Sequence, residues 1–314
     1  MNTKKLMITK WVLEIILIVL ISFMYYLNRS VATPNVLYIP QGSIGKIITY
    51  LQQKKLDVSP LDSLFLRFIG YPQQGWIYIG ESSMTHADFL YKLATAKAAM
   101  KDITLIPGET TEAFLYQIAE KLDLDMLVLR EEYLHMSPIE EGAFVPETYS
   151  LPIGISEHNA IRILLNQSER QMRRWSQKIF GTYNKRKWFQ YITVASIIQK
   201  EAASVKEMPI ISSVIQNRLK KGMKLQMDGT LNYGKYSHTK VTARRIKEDR
   251  SLYNTYIYKG LPPTPVCNVG FDAIKAAIFP AETDFLYFVK GRDGRHRFSR
   301  NYSTHLRNIR HVTK

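Results

Sequence analysis

Apolar and polar positions along the chain separate one long apolar run near the N-terminus from a mixed remainder. Residues 11–27 are apolar apart from Glu14, Ser22 and two tyrosines. Because about 17–25 such residues cross a bilayer, the run predicts a single transmembrane helix. No second run of this kind follows in the sequence. We therefore expect residues 1–30 to form a short cytoplasmic stub and a membrane anchor.

The charges around this run predict its orientation. Positive charge tends to stay on the cytoplasmic side of a membrane. The N-terminus is therefore expected on the cytoplasmic side of the cytoplasmic (inner) membrane. Everything after the helix is expected in the extracytoplasmic or periplasmic space. A cleaved secretory signal has a similar length, but residues 30–33 offer only a weak small-residue cleavage site, so an uncleaved anchor is favoured. The lysines before the run are Lys4, Lys5 and Lys10.

Residues 35–102 have the pattern of a small α+β module. Residues 75–80 combine aromatic and β-branched side chains, as strands do. A helix is predicted over residues 84–99, with Thr85 as its N-cap. The module carries no cluster of titratable groups, so a binding or spacer role is expected of it.

Residues 103–314 are expected to form a larger α+β domain. Helices alternate with loops there, and a strand with a hairpin partner lies towards its end. Gly222 is expected to close one of these helices, because glycine is common just after a helix C-terminus. Residues 223–270 are rich in loop-forming positions. The predicted helices cover residues 112–122, 158–178, 209–220 and 271–278, and the strand covers residues 285–290.

One further helix, predicted from residue 191 onwards, carries an acid on its apolar side. Glu201 lies on the apolar stripe, whereas Gln199 and Lys200 turn away from it. An unpaired carboxylate is costly in such a site, so it tends to stay protonated near neutral pH. A neutral carboxylic acid is what general acid catalysis of glycosidic bond cleavage requires. The aliphatic members of the stripe are Val194, Ile197, Ile198 and Val205.

The formal charge of +16 is uneven along the chain. Residues 170–187 contain seven cations and no acid, and residues 290–314 contain eight cations against Asp293. Such patches bind nucleic acid, anionic lipid or an acidic polymer. An extracytoplasmic domain seldom meets nucleic acid, so lipid or cell-wall polymer is favoured, with a solvated surface as the alternative. The single cysteine, Cys267, excludes an intrachain disulfide and is interpreted as a packing residue.

Residues 195–202, Ala-Ser-Ile-Ile-Gln-Lys-Glu-Ala, resemble the signature helix of the MltG (YceG-like) endolytic murein transglycosylase family. Further strings resemble this family in the same order, and the N-terminal module resembles the family's LysM-like domain more loosely. Together they cover nearly all of the chain beyond the anchor. The other strings lie at residues 144–149, 217–219, 223–228, 253–256, 260–265, 276–277, 280–281, 286–289 and 296–298.

This resemblance implies a fold and an activity. The fold is α+β, with a single transmembrane helix, a small LysM-like α+β module at residues 35–102 and a larger YceG-like catalytic domain at residues 103–314. The activity is that of a lytic transglycosylase, a lyase that cleaves the MurNAc-β-1,4-GlcNAc bond of nascent peptidoglycan without water and leaves 1,6-anhydroMurNAc ends. The family's catalytic acid is the second acid of a Glu-Lys-Glu string, which is Glu201 here. It would protonate the leaving oxygen, and it or a neighbouring group would then take the proton of the sugar's C6 hydroxyl.

Three positions depart from the family's pattern. Gln199 stands where the first acid of the string is expected, so Glu201 is the acid that is left there. Gly229 replaces the proline that commonly follows the aspartate at Asp228, which calls the rigidity of that loop into question. Glu147 replaces an aspartate and keeps its charge.

Five residues of the loop-rich stretch are candidates for substrate binding near Glu201. Amide and phenol groups suit sugar hydroxyl and acetamido groups, and tyrosine rings stack on pyranose rings. Each has a structural alternative: Asp228 as a turn residue, Tyr253 and Asn254 as a structural corner, and Glu201 as the ion-pair partner of an Arg or Lys. The candidates are Gln226, Asp228, Tyr233, Tyr253 and Asn254.

Two other functions stay open for the same residues. One is a hydrolytic muramidase with Asp228 as the second carboxylate, and the other is a non-catalytic scaffold that binds the cell wall. No metal site is expected, because His238, His296 and His305 lack metal-ligand spacing, and no cofactor is expected. The implied partners are peptidoglycan strands, the membrane and peptidoglycan synthases, and no nucleic acid is expected.

Overall fold

The computed structural model describes residues 3–313. Helices account for 53% of the chain, which confirms the mixed helix and strand composition expected from the sequence. The helices are α1 (Thr3–Asn28), α2 (Ile44–Gln53), α3 (Asp62–Ile69), α4 (His86–Thr95), α5 (Thr111–Leu122), α6 (Met126–Met136), α7 (Glu157–Phe180), α8 (Lys185–Glu201), α9 (Met208–Lys220), α10 (Ala243–Glu248), α11 (Phe271–Ile278) and α12 (Tyr302–Thr313). The strands are β1 (Ser30–Ala32), β2 (Val36–Ile39), β3 (Gly75–Tyr78), β4 (Ser83–Thr85), β5 (Met100–Thr104), β6 (Thr148–Pro152), β7 (Tyr287–Lys290) and β8 (His296–Ser299).

The strands within residues 3–313 pair two by two. Strand β1 pairs with β4, β2 with β3, β5 with β6, and β7 with β8. A two-stranded sheet is marginal in water without further packing. Each pair therefore depends on the helices and loops around it.

One compact unit runs to Lys101 and includes Leu151–Gly154. Its core is formed by β2, β3 and the apolar faces of α2, α3 and α4. The predicted N-cap of α4 is confirmed, because Thr85 Oγ1 accepts a hydrogen bond from the Asp88 N–H over 3.1 Å. The core residues of this unit include Ile39, Ile47, Leu51, Leu66, Ile77 and Phe89.

A buried polar cluster lies in the same unit, where α3 begins. The Asp62 carboxylate accepts hydrogen bonds from the Ser59 N–H over 2.7 Å and from the Tyr26 hydroxyl over 2.9 Å, and it lies 3.0 Å from His86 Nε2. Burial raises the pKa of Asp62, but the bonds from His86, Ser59 and Tyr26 outweigh burial and hold the pKa below its ordinary value. The cluster thus connects the last turns of α1 to the starts of α3 and α4.

The other compact unit contains the rest of the described chain, and α8 lies in its core against α9 and α11. Asn184 is the N-cap of helix α8, and its side chain accepts a hydrogen bond from the Lys187 N–H over 3.0 Å. It ends at Glu201, because the backbone is extended at Ala202. The fully buried residues of α8 include Ile192, Ala195, Ile197 and Ile198.

Helix α9 ends as the sequence predicts. Gly222 has a φ of +62°, a region that glycine enters without steric cost. The N–H groups of Gly222 and Met223 donate to the carbonyls of Leu219 and Arg218. This pair of bonds is the arrangement with which many helices finish. It turns the chain towards the loop that meets the end of α8.

Other elements differ from the sequence-based expectation. Val205, expected on the apolar stripe of the Glu201 helix, is 56% exposed in a short 3-10 turn, because α8 has already ended at Glu201. The sequence analysis also does not predict α6, α10 and α12. The hairpin expected after residue 285 is confirmed, with Tyr287 opposite Ser299 and the Gly291 N–H donating to the Arg295 carbonyl over 2.7 Å.

The buried cluster around Asp62 predicts an unequal response to two alanine substitutions. Asp62→Ala should lower the local free energy of unfolding of this unit by about 3–5 kcal/mol, because it leaves buried donors without their acceptor. Asp57→Ala, which removes an exposed pair with Arg29, should cost about 0–1 kcal/mol. Hydrogen exchange of the α2 and β3 amides in detergent micelles measures both, and equal effects would contradict the assignment.

Candidate active site

Glu201 is the last residue of α8 and lies one turn after the buried residues Ile197 and Ile198. Its carboxyl group leaves the apolar core where the helix ends and the chain becomes extended at Ala202. The residue as a whole is half-buried. Glu201 therefore has apolar surroundings on one side and an opening on the other.

One oxygen of the Glu201 carboxyl group is engaged by the main chain. The Gly229 N–H donates to Oε1 over 2.7 Å. Oε2 has no hydrogen-bond partner among the described residues, and it is not one of their buried unpartnered polar atoms. The group thus has one oxygen held by the main chain and a second oxygen that no described protein group engages.

The surroundings of Glu201 raise its pKa to about 7. Burial is the largest cause, because it penalises the charged form. The negative charge of Asp228 raises the pKa further, whereas the hydrogen bond from Gly229 and the positive charge of Arg218 lower it. Near neutral pH a substantial fraction of this side chain is therefore protonated and able to donate a proton.

Gly229 is required here by space. A Cβ atom at this position would lie 2.6 Å from Lys200 Cβ and 2.9 Å from Glu201 Oε1, closer than real Cβ atoms come. A proline would also lack the N–H that Glu201 accepts from. The departure from the family's proline therefore does not simply loosen the Asp228 loop. It brings the main chain of that loop into direct contact with the end of α8.

Asp228 is exposed and begins a short 3-10 turn, Asp228–Leu231. Its Oδ1 accepts a hydrogen bond from the Tyr256 hydroxyl over 2.6 Å. Burial and the nearby carboxylates raise the pKa of Tyr256, so the phenol keeps the proton that it donates. Asp228 is thus more than a turn residue, because its carboxylate is oriented beside Glu201.

Arg218 is a component of the site that the sequence analysis does not identify. It is buried, and its guanidinium donates to the carbonyls of Leu286, over 2.6 Å, and Leu225. Its charge is attracted to the ionised form of Glu201. The burial of Arg218 could nevertheless be predicted from the sequence, because this residue continues an apolar stripe of α9. That stripe comprises Ile211, Val214 and Ile215.

Gln226 has an unusual backbone beside this group. Its φ is +49°, a region that residues other than glycine seldom adopt, and its N–H donates to the Thr255 carbonyl over 3.1 Å. The side chain is exposed. Such conformations cluster at functional sites, because the surrounding structure must maintain them. Gln226 is therefore positioned to present its amide to solvent, two residues before Asp228.

Tyr233 and Tyr253 stack on each other, with ring centroids 4.4 Å apart and an interplanar angle of 16°. The Tyr233 hydroxyl donates to Asp249, and the Tyr253 hydroxyl shares a hydrogen bond of 2.5 Å with Thr264. Both rings line a cavity of about 270 Å³ whose lining does not include Glu201. The structure therefore brings Asp228 to Glu201 and assigns the two tyrosines to a neighbouring surface of the same unit.

Asn254 has the properties of the structural corner that was its alternative interpretation. It is fully buried. Its Nδ2 donates to the carbonyls of Ile246 and Asp249, and its Oδ1 accepts from the Tyr256 N–H. No part of the amide is left for a sugar. These contacts favour the structural-corner interpretation of Asn254, in which it supports the loop that carries Tyr253 and Tyr256.

Gln199 and Lys200 face away from Glu201, as their positions on the helix predict, yet both are engaged. Gln199 Oε1 accepts from the Gly270 N–H over 3.3 Å. Lys200 Nζ donates to the Ser237 hydroxyl over 3.1 Å, and that hydroxyl donates to Glu109 over 3.1 Å. These contacts fix the last turn of α8 to three loops. The rotation of the helix that carries Glu201 is thereby fixed as well.

Glu141 is a second buried carboxyl group whose pKa is raised to about 7, mainly by burial. Its oxygens accept from the Thr111 N–H over 2.8 Å, the Thr111 hydroxyl over 2.6 Å and the Gly142 N–H over 3.0 Å. Asn268 Nδ2 donates to it as well. With its oxygens occupied by protein donors, Glu141 secures the first turn of α5. A raised pKa alone therefore does not identify the acid.

Two other kinds of site lack support in the part of the chain that the structure describes. Cys267 is fully buried and its pKa is raised by burial, so its thiol is a packing group. Within residues 3–313, no group of three or more His, Cys, Asp or Glu side chains is arranged to hold a metal ion.

Comparison with known proteins gives concordant matches. A model of the YceG-like family matches residues 37–311. The chain is 27% identical over 297 residues to the endolytic murein transglycosylase of Bacillus subtilis (strain 168), covering 85% of this chain and 81% of that protein. It is 29% identical over 217 residues to the endolytic murein transglycosylase of Streptococcus pneumoniae serotype 2, covering 64% of this chain and only 39% of that protein. A 2.6 Å crystal structure of a YceG-like protein from Listeria monocytogenes aligns with a TM-score of 0.57 at 25% identity, over 87% of this chain and 97% of that one.

The contact between Gly229 and Glu201 predicts the effect of one added methyl group. In Gly229→Ala the Cβ displaces the loop and removes the hydrogen bond to Oε1, so the pKa of Glu201 should rise above about 7. The pH midpoint of carbodiimide labelling of Glu201, which requires the protonated acid, reports this pKa when peptides are mapped by mass spectrometry. Gly45→Ala, where a Cβ meets only Ser43 Oγ at 4.0 Å, is the control. An unchanged midpoint in Gly229→Ala would contradict the assignment.

Proposed function

The chain belongs to the YceG-like family, and on that premise we propose that it is an endolytic peptidoglycan lytic transglycosylase with Glu201 as its catalytic acid and base. The observation that carries the proposal is the state of the Glu201 carboxyl group. Its pKa is about 7, one oxygen is held by Gly229, and the other is open. The names of the Bacillus and Streptococcus relatives, both endolytic murein transglycosylases, support the reaction class.

The proposed reaction begins with protonation of the glycosidic oxygen between N-acetylmuramic acid and N-acetylglucosamine. The proton comes from Glu201, and the bond between C1 and that oxygen breaks through an oxocarbenium-like state. The C6 hydroxyl oxygen of the same muramic sugar then bonds to C1, and its proton returns to the Glu201 carboxylate. One carbon–oxygen bond breaks and another forms. No water is consumed, and the product carries a 1,6-anhydro end.

The hydrogen bond from Gly229 determines which oxygen carries the proton. The carbonyl oxygen of a protonated carboxyl group is a better acceptor than its hydroxyl oxygen, so the Gly229 N–H bond to Oε1 favours Oε2 as the oxygen that carries the acid proton. Oε2 is also the oxygen that has no hydrogen-bond partner among the described residues. Glu141 has a similar pKa, but its oxygens are occupied by donors of the protein. Accessibility therefore favours Glu201 over Glu141 as the acid.

Charges around Glu201 suit a positively charged transition state. Asp228 is exposed beside it and oriented by Tyr256, so its carboxylate stabilises the oxocarbenium-like sugar in this proposal. Gln226 offers an amide for the hydroxyl or acetamido groups. Tyr233 and Tyr253 are proposed to contact a more distant sugar, because their rings line the neighbouring cavity.

The proposal includes the anchor and the two domains expected from the sequence. Met7–Asn28 is apolar enough and long enough to cross a membrane. We assign residues 1–30 to the stub and anchor, residues 35–102 to the LysM-like module and residues 103–314 to the catalytic domain. In this proposal the N-terminus lies on the cytoplasmic side of the cytoplasmic membrane. The chain after the anchor lies on the other side, where the catalytic domain acts on glycan strands beside their synthases.

Hydrolysis is the second candidate, because Asp228 lies near Glu201 and a muramidase uses two carboxyl groups. In that reaction a water molecule supplies the oxygen that bonds to C1, and the product has a reducing end. The hydrolytic candidate therefore differs from the proposal in product mass by one water. A scaffold that only binds the wall would yield neither product.

Glu201→Gln should reduce strand cleavage by about 10²–10⁴-fold, because the amide can neither donate nor accept the proton. Mass spectrometry of glycan fragments released from purified peptidoglycan should give anhydro ends with the unmodified chain and almost none with the variant. Glu248→Gln, the same change in an exposed pair with Arg244, should leave cleavage unchanged. Reducing ends would favour the hydrolase, and full activity in Glu201→Gln would refute the role of Glu201.

The pKa of Glu201 predicts the alkaline limb of the pH profile. Because the acid must be protonated, the cleavage rate should decline above about pH 7 and approach a tenfold loss per further pH unit. Initial rates of anhydro-end formation between pH 5.5 and 9 measure this limb. A rate that stays constant from pH 6 to 8.5 would show that another group supplies the proton.

A further inference from the structure

Helix α3 has apolar residues on two faces, and only one of these faces packs into a core. Leu66 is fully buried with the core of its unit, together with Asp62 of the polar cluster. The other apolar residues recur at the i, i+3, i+4 and i+7 spacing of a second helical stripe. This outer stripe comprises Leu61, Leu64, Phe65 and Phe68.

The outer stripe of α3 is exposed to an unusual degree. Phe68 is 92% exposed, Leu61 67% and Leu64 53%. Single exposed apolar residues are common, but a contiguous apolar stripe on a short helix marks an interaction surface. Phe65 packs partly against the core beside Leu66, but that core does not account for the exposure of Leu61, Leu64 and Phe68.

The stripe continues directly onto the apolar helix α1, which belongs to the same compact unit. The rings of Phe23 and Phe65 have centroids 6.0 Å apart. The Tyr26 hydroxyl donates to Asp62 at the start of α3 over 2.9 Å. A mainly apolar groove of about 290 Å³ runs between the two helices, lined by Ser22, Phe23, Tyr26, Leu27, Leu61, Asp62 and Phe65.

The contact between Phe23 and Phe65 lies near the end of α1. Phe23 precedes the end of α1 at Asn28 by five residues, which at 1.5 Å per residue is about 7.5 Å. Amphipathic helices that lie on a membrane bury their apolar face about 5–10 Å into the headgroup and acyl boundary. Phe65 therefore contacts α1 about 7.5 Å along the helix from its end, a distance of the same order as that depth.

We propose that α3 is an interfacial helix whose outer stripe, Leu61, Leu64, Phe65 and Phe68, inserts into the outer leaflet of the membrane that α1 crosses. The inference rests on the proposed membrane anchor and is independent of the reaction at Glu201. Arg67, exposed in the last turn of α3, supplies a cation that suits lipid headgroups at this level. The small module is thereby held against the membrane by two elements.

Depth-resolved spin labelling of the full-length chain tests this proposal. Phe68→Cys carries a nitroxide in vesicles of phosphatidylethanolamine and phosphatidylglycerol, and collision rates are compared for oxygen, which partitions into lipid, and a water-soluble nickel chelate. Cys267 is fully buried, so the unmodified chain should take up no label under native conditions. Tyr78→Cys, at an exposed tyrosine of the same unit, is the aqueous control. Leu17→Cys, in the middle of α1, tests the anchor itself.

The expected result is an oxygen-to-nickel collision ratio several-fold higher at Phe68→Cys than at Tyr78→Cys, and lower than that at Leu17→Cys, which lies deeper in the bilayer. A ratio at Phe68→Cys equal to that at Tyr78→Cys, with Leu17→Cys in lipid, would overturn the insertion of α3 and leave the anchor intact. Shielding of the Phe68→Cys label from both reagents would also overturn it, because the stripe would then contact protein. An aqueous Leu17→Cys label would refute the anchor and the inference with it.

Discussion

The structure around the candidate site depends on one close contact, in which a backbone N–H meets a carboxyl group at the edge of the core. Glu201 can keep a pKa near 7 only if α8 ends where its apolar packing ends. The loop must then approach within 2.7 Å of Oε1, and only glycine leaves room for that approach. The close approach of the Asp228 loop and the engagement of Oε1 both follow from this contact between Glu201 and Gly229.

The two buried glutamates show why the environment of a carboxyl group must be considered atom by atom. Burial raises the pKa of both to about 7. The Glu141 oxygens accept hydrogen bonds from Thr111, Gly142 and Asn268, so this carboxyl group stabilises the start of α5. Glu201 has one main-chain donor and one open oxygen. The same rise in pKa therefore accompanies a structural role in Glu141 and, in our proposal, a catalytic role in Glu201.

Helical periodicity was sufficient to predict α11 to the residue and to place Glu201 on the apolar side of its helix. The same periodicity marks Arg218, so that part of the site was accessible from the sequence. The burial of Asn254 was not, because it depends on where the chain folds back on itself. The role of Gly229 was hidden for the same reason. The periodicity of the sequence predicts which face of a helix a side chain occupies. Contacts between residues distant in the sequence determine which groups surround that side chain.

The contacts at the end of α1 determine how the first unit is oriented relative to that helix. A flexible tether would leave the first unit free to take any orientation above the bilayer. Here the last turns of α1 are bonded through Tyr26 to Asp62, which is itself held by His86 and Ser59. A buried joint of this kind transmits the direction of the helix to the unit. The first unit therefore keeps a fixed orientation relative to α1.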